Sequence, residues 1–487
     1  MADLTQHQQP GAQGLATDLA TTGASVNVSN TAPPVAGQVP VATSPTQVDW
    51  QYPRDYYCPE DYGAVGDGVQ LWFGAITSGS SVYTCAMANF TSADISKVIE
   101  IEKAGVSSAP LKAYIGSINS STSVNLVTTR GGSTPATAST TVTGIWSSTG
   151  LTVNGAAGYD HEPTAYYGTD DTAAFQAALD AIITGLNTHS QNYARLKLKN
   201  RIYMLDGALQ DTANSNAQLY LKDLGYGFLN KLTIEISGDI EPNITFNNSN
   251  GQPKTPAYGA VLKCTLNAGT NGAVFRTYGT LSGGFAFHRA YIVIRNLTLR
   301  MPNNPVLSGF DLRQSVSADV SKVVFDTGIY KVHAISQPST AASYALKMPQ
   351  INNGSYCHVD VYVIGFYNAV EIGEHATGRV SMWACYKGLW LNEIRIAALL
   401  SMVNSVSCTY AVNVSQTGAT YSQISIFEIQ QMRVERHDVS NPQAWMMSIA
   451  EFSDAGNYGH GKITYACVNN RAFTKSGGAT VTCTELY

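Results

Sequence analysis

Residues 61–68 read Asp61-Tyr-Gly-Ala-Val-Gly-Asp-Gly68, and residues 168–181 read Gly168-Thr-Asp-Asp-Thr-Ala-Ala-Phe-Gln-Ala-Ala-Leu-Asp-Ala181. The second segment predicts a helix, because Thr169 or Asp170 supplies an N-cap oxygen for the first turn. Asp170 and Asp171 also put negative charge at the positive end of the helix dipole. The helix carries one apolar stripe, made of Phe175, Leu179, Ile182 and Leu186. One face of the helix is therefore expected to pack against the rest of the protein.

Taken together, the two segments resemble the opening signature of the pectate-lyase-like superfamily of right-handed parallel β-helices. In that family the helix caps the open end of the solenoid. The resemblance implies an all-β fold, a right-handed parallel β-helix with an N-terminal capping helix. We assign the cap to residues 51–68 and 168–200, and the β-helix to residues 201–487.

The sequence beyond Leu196 is a succession of short apolar runs between turns rich in Gly, Asn and Asp. Examples are residues 291–299, 320–325 and 359–364. Runs of this length and density are expected of the rungs of a β-helix.

Residues 69–167 separate the two halves of the signature, and this segment of about 100 residues is far longer than an ordinary loop. Apolar and polar residues alternate in residues 98–102, 111–115 and 123–127, with turn residues between them. This pattern predicts an inserted small β-domain, similar to a sandwich or barrel. Its role is left open between binding a glycan and bracing neighbouring subunits.

The overall composition excludes several classes of protein. The chain has 487 residues, of which 29 are Lys or Arg and 34 are Asp or Glu, with a net charge of −5. No basic cluster of the kind that nucleic-acid binding requires is present, so we expect no nucleic-acid partner. No apolar run is long enough to span a bilayer, so we expect no membrane insertion. The N-terminus has no signal-peptide pattern.

The eight cysteines are scattered without any C-x-x-C pair. We interpret them as buried thiols in preference to disulfides or metal ligands, and we expect no metal and no cofactor. Cys357, Cys385 and Cys408 follow one another at about the length of one rung, which predicts that they stack as an interior ladder.

Residues 1–50 are rich in Gln, Ala, Thr, Ser, Pro and Gly and cannot form a core of their own. Residues 31–50 resemble the connector found near the start of phage tail fibres and spikes, where the N-terminus docks onto the particle. The resemblance implies a virion-attachment segment, and the alternative is a flexible tail.

Carboxylates and aromatic residues concentrate between Cys357 and Glu393. Glu371 and Glu393 are 22 residues apart, about one rung, and neighbouring rungs are about 4.8 Å apart. If both face outward, they approach the separation of about 5 Å that a retaining glycosidase needs, whereas a two-rung separation suits an inverting one. With Asp360, they are the candidate catalytic residues. The alternative is that they are solvated turn residues.

Four aromatic residues in the same stretch are the candidate ligand-binding residues: Tyr367, Trp383, Tyr386 and Trp390. Aromatic faces stack on sugar rings, and their polar edges suit amphipathic ligands. Alternatively, these residues fill the core or a subunit interface.

This stretch and residues 427–431 are similar to the β-helix region of minor tail proteins from phages of actinobacteria. The resemblance implies a tail spike or fibre in the virion, made in the host cytoplasm without a signal peptide. It also implies a homotrimer that docks onto other phage tail or baseplate proteins through residues 1–50 and binds a glycan on the host surface. The alternative is a polysaccharide depolymerase, either a glycoside hydrolase or a lyase, so the question of enzymatic activity stays open. The resemblance carries over no catalytic residue.

Overall fold

A computed structural model describes the chain over most of its length. The described residues are 18–21, 24–28, 39–44, 47–51, 56–147, 150–153, 163–189, 192–209, 217–222, 232–242, 259–265, 272–278, 280–282, 285–302, 307–328, 343–349, 357–372, 375–392, 397–406, 408, 410–416, 425–435, 450–454, 459–467, 474–477 and 480–485.

Four short strands lie within the predicted attachment segment and just beyond it: β1 (Asp18–Thr21), β2 (Ala24–Val28), β3 (Val39–Ser44) and β4 (Gln47–Gln51). They form a sheet of their own in the order β1-β2-β4-β3. Strands β2 and β4 pair in parallel, and the other pairs are antiparallel.

The two-residue strand β5 (Tyr56–Tyr57) and a 3₁₀ helix over Pro59–Tyr62 precede a second sheet. Its strands are β6 (Val69–Leu71), β7 (Gly74–Ile76), β8 (Val82–Cys85), β9 (Val98–Ile101), β10 (Leu111–Ser120), β11 (Ser123–Val127), β12 (Val142–Ser147), β13 (Gly150–Val153) and β14 (Ala165–Gly168). They form a nine-stranded sheet in the order β13-β12-β7-β8-β11-β10-β9-β14-β6, antiparallel throughout, with a hydrophobic core of its own. Because β6 pairs with β14, the first and last strands of this segment lie side by side.

Helix α1 (Thr172–His189) follows directly and is the one α-helix within the described ranges. Its predicted apolar stripe is buried in the main hydrophobic core. The backbone nitrogen of Thr172 donates a hydrogen bond to Asp170 Oδ1 at 3.1 Å, as expected of a capping carboxylate. Asp171 instead accepts hydrogen bonds from the backbone nitrogens of Val65, at 2.6 Å, and Gly66, at 3.2 Å. The two halves of the sequence signature are thus in direct contact.

The rest of the chain is β-structure. Its strands are β15 (Tyr193–Leu198), β16 (Ile202–Leu205), β17 (Ala217–Lys222), β18 (Thr233–Gly238), β19 (Ala260–Cys264), β20 (Gly272–Tyr278), β21 (Thr280–Ser282), β22 (Phe285–Arg300), β23 (Leu307–Asp311), β24 (Ser315–Asp326), β25 (Tyr344–Lys347), β26 (Cys357–Ile364), β27 (Asn368–Ile372), β28 (Ala376–Trp383), β29 (Lys387–Asn392), β30 (Ala397–Val406), β31 (Tyr410–Gln416), β32 (Ser425–Glu435), β33 (Ala450–Asp454), β34 (Gly459–Cys467), β35 (Thr474–Gly477) and β36 (Thr480–Glu485).

Two large parallel sheets contain these strands. Sheet one has the order β5-β15-β18-β22-β24-β26-β28-β30-β32-β34-β36, with β19 joining β16 to β22 and β21 pairing antiparallel with β22. Sheet two has the order β17-β20-β23-β25-β27-β29-β31-β33-β35. From β22 onward, successive strands of the chain alternate between the two sheets. The protein is therefore mostly β with large parallel sheets, as the sequence predicts, and the arrangement is compatible with a parallel β-helix.

Side chains from both sheets and from α1 form one continuous hydrophobic core. In β26, for example, Val359, Val361 and Val363 belong to this core, whereas the intervening residues are less buried. This alternation follows from the pleat of a strand, which points successive side chains to opposite faces.

The predicted ladder of three cysteines is correct for only two of them. The backbone nitrogen of Cys385 lies 3.4 Å from Cys408 Sγ, so these two residues are in contact. Cys357 instead begins β26 and is in register with Ala376. The spacings of 28 and 23 residues do not give the register, because the loops between the strands differ in length.

No helix in the described part of the chain is long and apolar enough to cross a membrane.

Candidate functional site

A row of polar and aromatic side chains crosses five neighbouring strands of sheet two. Leu346 and Val370 of β25 and β27 are in register and point into the core. Because side chains alternate along a strand, the next residue of each strand faces away from that core. The pairing register joins these residues into one row, Arg276, Asp311, Lys347, Glu371 and Trp390.

Two aromatic rings stack over the middle of this row. The ring centroids of Tyr344 and Trp390 are 5.6 Å apart, and the ring planes are inclined by 13°. Their strands, β25 and β29, are two strand spacings apart, about 9.6 Å. The rings therefore approach each other across β27, which carries Glu371, and this carboxylate is only 4% exposed. Burial, followed by the charge of Glu371, raises the pKa of Tyr344.

An ammonium group lies at each end of the ring stack. Lys347 Nζ is 4.3 Å from the centroid of the Tyr344 ring, and Lys387 Nζ is 5.7 Å from that of Trp390. Both are cation–π contacts. Burial, followed by the positive charge of Arg313, lowers the pKa of Lys347 to about 8.

Asp311 holds two arginines beside this stack. Arg313 donates from Nε and Nη2 to its two oxygens at 2.9 and 2.8 Å, and Arg276 Nη2 lies 3.1 Å from Oδ2. Burial alone would raise the pKa of Asp311, but the bidentate hydrogen bonds and charge of Arg313 outweigh it and hold that pKa far below its usual range. Asp311 therefore stays ionised and cannot donate a proton to a substrate.

A second aromatic stack lies where the chain turns from sheet one into sheet two. The centroids of the Tyr367 and Tyr386 rings are 4.7 Å apart and the ring planes are inclined by 20°, which matches the spacing of the paired strands β27 and β29 that follow them. The backbone nitrogen of Lys387 donates to the carbonyl of Tyr367 at 2.6 Å and holds the two turns together. The charge of Tyr367 also contributes to the raised pKa of Tyr344, so the two stacks are neighbours.

The residues of the row, the two stacks and their flanking cations form the sheet-two patch. It consists of Arg276, Asp311, Arg313, Tyr344, Lys347, Tyr367, Glu371, Tyr386, Lys387 and Trp390. Of the four stacked rings, those of Tyr367, Tyr386 and Trp390 belong to half-buried residues, whereas Tyr344 is buried.

Four of the seven candidate residues from the sequence lie in this patch: Tyr367, Glu371, Tyr386 and Trp390. The structure pairs Glu371 with Trp390 on the neighbouring strand. Glu393, the proposed partner of Glu371, lies outside the described residues, so its distance from Glu371 stays a prediction.

The structure places Asp360 and Trp383 on sheet one, away from the other four candidates. Asp360 Oδ2 accepts a hydrogen bond from Arg379 Nη2 at 2.9 Å and lies 3.4 Å from Lys322 Nζ. Burial acts to raise the pKa of Asp360, but these two cations lower it overall. Trp383 is 3% exposed and packs in a small apolar cluster with Ile364 and Val406. Its ring is therefore not available to a ligand.

The sequence analysis missed six members of the patch: Arg276, Asp311, Arg313, Tyr344, Lys347 and Lys387. The first five lie upstream of the stretch that was searched. They lie near Glu371 and Trp390 because their strands belong to the same parallel sheet. The loops between these strands differ in length, so no fixed spacing in the sequence identifies them. Lys387 lies within the stretch, but its spacing from Trp390 in the sequence does not show that its ammonium group lies over the Trp390 ring.

Within the described ranges, no three His, Cys, Asp or Glu side chains come together in a way that could hold a metal ion.

No protein-family model, curated protein or solved structure matches this chain.

Proposed function

We propose that this chain is a tail appendage of a phage virion that binds a host-surface glycan through the sheet-two patch. In this proposal the two parallel sheets form a right-handed parallel β-helix, α1 is its cap, and residues 69–167 are an inserted domain. The observation that carries the binding proposal is the pair of aromatic stacks in the sheet-two patch, of whose four rings Tyr367, Tyr386 and Trp390 are half-buried and Tyr344 is buried.

The connectivity supports the solenoid. From β22 onward each turn of the chain contributes one strand to sheet one and one to sheet two, and every strand pairs in parallel with its equivalent in the next turn. The capping signature supports the same fold, since its two halves meet at the first residues of α1.

The chemistry of the patch supports a carbohydrate ligand. Aromatic faces bind the apolar faces of sugar rings, and charged side chains around them hydrogen-bond to sugar hydroxyls. The half-buried rings of Trp390, Tyr367 and Tyr386 lie beside three partly exposed cations, Arg313, Lys347 and Lys387. This is the mixture of apolar and polar surface that a glycan site requires.

The same patch favours binding over cleavage. A glycosidase needs one carboxylic acid whose pKa is raised, so that it can protonate the leaving group. Asp311, the neighbouring carboxylate on the row of Glu371, is held ionised by Arg313 and Arg276. Glu371 is the other carboxylate of the row, so the depolymerase is retained as an outcome of the experiment below.

The experiment is incubation of the purified full chain with a panel of bacterial surface polysaccharides, with bound protein and released sugar measured on the same samples. Retention on at least one polysaccharide without new reducing ends is the predicted result. New reducing ends would make the chain a depolymerase, and 4,5-unsaturated sugars would make it a lyase. Failure to bind any polysaccharide would overturn the proposal.

We propose further that the appendage is a homotrimer attached to other tail or baseplate proteins through residues 1–50. The resemblance supports this, as does a charged fraction of only 13%, since lateral faces with so little charge suit burial between subunits. Mass photometry at micromolar concentration is expected to give three chains per particle, and a monomer would contradict it. Deletion of residues 1–50 is expected to abolish incorporation into particles.

A further inference from the structure

We infer that the sheet-two patch selects acidic glycans, and that Lys347 and Lys387, at the two ends of the Tyr344–Trp390 stack, each bind an anionic group of the polymer. This inference rests on the proposed function and adds the charge class of the ligand. The anionic group is either a uronate carboxylate or a phosphate, because both present oxygen atoms that ammonium and guanidinium groups bind.

The charge balance of the patch is the first argument. Its described side chains include four cations, Arg276, Arg313, Lys347 and Lys387, and two carboxylates, Asp311 and Glu371. This local excess of two positive charges stands on a chain whose net charge is −5. An anionic ligand is therefore attracted to this face of sheet two.

The two lysine ammonium groups are the second argument. Among the described residues, neither Lys347 nor Lys387 forms an ion pair or a hydrogen bond through its ammonium group, and each contacts only an aromatic ring. Lys97, Lys112 and Lys263, in contrast, each lie within 3 Å of a carboxylate oxygen. Asp311 is bound through both oxygens by the two arginines and does not pair with Lys347.

The surroundings of Lys347 are the third argument. Both neighbouring strands contribute charged groups: Asp311 and Arg313 come from β23 and the turn after it, and Glu371 comes from β27. Tyr344 of its own strand and Arg276 of β20, one strand beyond β23, complete the surroundings. Burial and the positive charges of Arg313 and Arg276 disfavour the ammonium form of Lys347. The negative charges of Asp311 and Glu371 favour it, but they offset these effects only in part. An anionic group beside Lys347 supplies the missing compensation.

This arrangement links binding to protonation. A bound anion favours the ammonium form of Lys347 and raises its pKa above the value of about 8 in the free protein. Below pH 8 the site is charged before the ligand arrives. Above pH 8 binding requires uptake of one proton, so the affinity falls by up to about tenfold for each pH unit.

The test measures binding by isothermal titration calorimetry with three probes: sodium polygalacturonate, a purified teichoic acid and neutral dextran. We expect at least one acidic polymer to bind at pH 7 and to bind at least tenfold more weakly at pH 9.5. Dextran should not bind. Whichever acidic polymer binds identifies carboxylate or phosphate as the group recognised.

Substitutions at Lys347 provide the decisive comparison. Lys347→Gln should weaken binding about tenfold or more at pH 7. Lys347→Arg should bind equally well at pH 7 and pH 9.5, because arginine keeps its proton. The matched control is Lys222→Gln, which removes another lysine that contacts a ring on sheet two, that of Tyr220, but lies outside the patch. This control should bind like the wild type.

Three results would overturn the inference. They are equal affinity for neutral and acidic polymers, affinity that is unchanged between pH 7 and pH 9.5, and a folded Lys347→Gln variant that binds like the wild type. If only neutral polysaccharides of the panel bind, the proposed glycan binding stands and the acidic class is wrong. If no polysaccharide binds, both fail. The pH profile of the unmodified protein decides the question even if Lys347→Gln does not fold.

Discussion

Asp67 accepts two hydrogen bonds from Thr169, one from its backbone nitrogen at 2.7 Å and one from its hydroxyl at 2.9 Å. In the sequence, Asp67 comes just before the strands of the nine-stranded sheet and Thr169 comes just after them. Lys97, which lies within that segment, approaches the same carboxylate to 2.7 Å. The Asp67 side chain therefore joins residues 61–68, residues 168–181 and the segment between them.

Asp67→Ala is expected to lower the free energy of unfolding by about 1.5–3 kcal/mol, because it removes hydrogen bonds to a charged acceptor. The midpoint of urea unfolding measures this loss. Asp239→Ala is the control, since Asp239 forms an exposed ion pair with Lys197 at 3.0 Å and should cost less than about 1 kcal/mol. Equal midpoints for both variants would contradict the role of Asp67.

The pH dependence of stability should differ in sign at Asp67 and Asp171. Burial raises the pKa of Asp67, but the hydrogen bonds from Lys97 and Thr169 lower it overall, so its stabilising effect is present above about pH 4 and is lost at lower pH. Burial raises the pKa of Asp171 to about 6. The folded state therefore binds the proton of Asp171 more tightly than the unfolded state, and its contribution to stability falls as the pH rises from 4 to 6.

Asp171→Asn removes this titration while keeping an oxygen that accepts a hydrogen bond. Relative to the wild type, the variant should gain stability as the pH rises from 4 to 7. Urea midpoints of both proteins at unit pH intervals test this. A difference between the two proteins that is constant with pH would show that Asp171 does not titrate in this range.

A buried ionic cluster joins the nine-stranded sheet to sheet one. Lys263 of β19 forms an ion pair with Glu100 of β9, and both side chains are fully buried. Arg300 of β22 binds Asp326 at 2.6 Å and Glu102 at 3.3 Å in the same cluster. Each charge thus depends on a partner from another strand.

Lys263→Met should destabilise the protein by about 3–5 kcal/mol, because it leaves Glu100 buried without its cation. The double variant Lys263→Met/Glu100→Leu should recover most of the loss, since no uncompensated charge remains. Calorimetric unfolding of the two variants measures both effects. A double variant less stable than Lys263→Met would show that the ion pair itself is a large net contributor.

Asp311→Asn should lower the pKa of Lys347 below its value of about 8, because Asp311 is one of the two carboxylates that favour the ammonium form. Chemical shifts of ¹³C-labelled lysine side chains, followed from pH 6 to pH 11, report this titration. A Lys347 that titrates near 10.5 in the wild type would show that its surroundings do not act as described.

The resemblance of the two signature segments implied the parallel β-architecture, and the sequence pattern predicted the helix that spans Thr172–His189. The local sequence was sufficient for the helix, since Phe175, Leu179 and Ile182 repeat at helical spacing. It was not sufficient for the pairing of strands. Glu371 is in register with Trp390, nineteen residues on, because the loops rather than a fixed repeat set the register.

The candidate site shows the same limit. Tyr367, Tyr386 and Trp390 could be selected because aromatic residues cluster in one stretch of sequence. Asp360 and Trp383 lie in the same stretch, yet they belong to β26 and β28 of sheet one. Consecutive strands of an alternating topology face different surfaces, so closeness in sequence does not place two side chains in one site.

The most direct test of glycan binding by the sheet-two patch is the affinity of Trp390→Ala for the polysaccharide that the wild type binds. Loss of the ring should weaken binding about tenfold or more, equivalent to about 1.4 kcal/mol, and Trp390→Phe should restore part of it. The matched control is Tyr193→Ala, which removes an aromatic residue of sheet one that is 40% exposed. If the sheet-two patch binds the glycan, Trp390→Ala loses much of the affinity and Tyr193→Ala loses none. Equal affinities of the folded variants would contradict it.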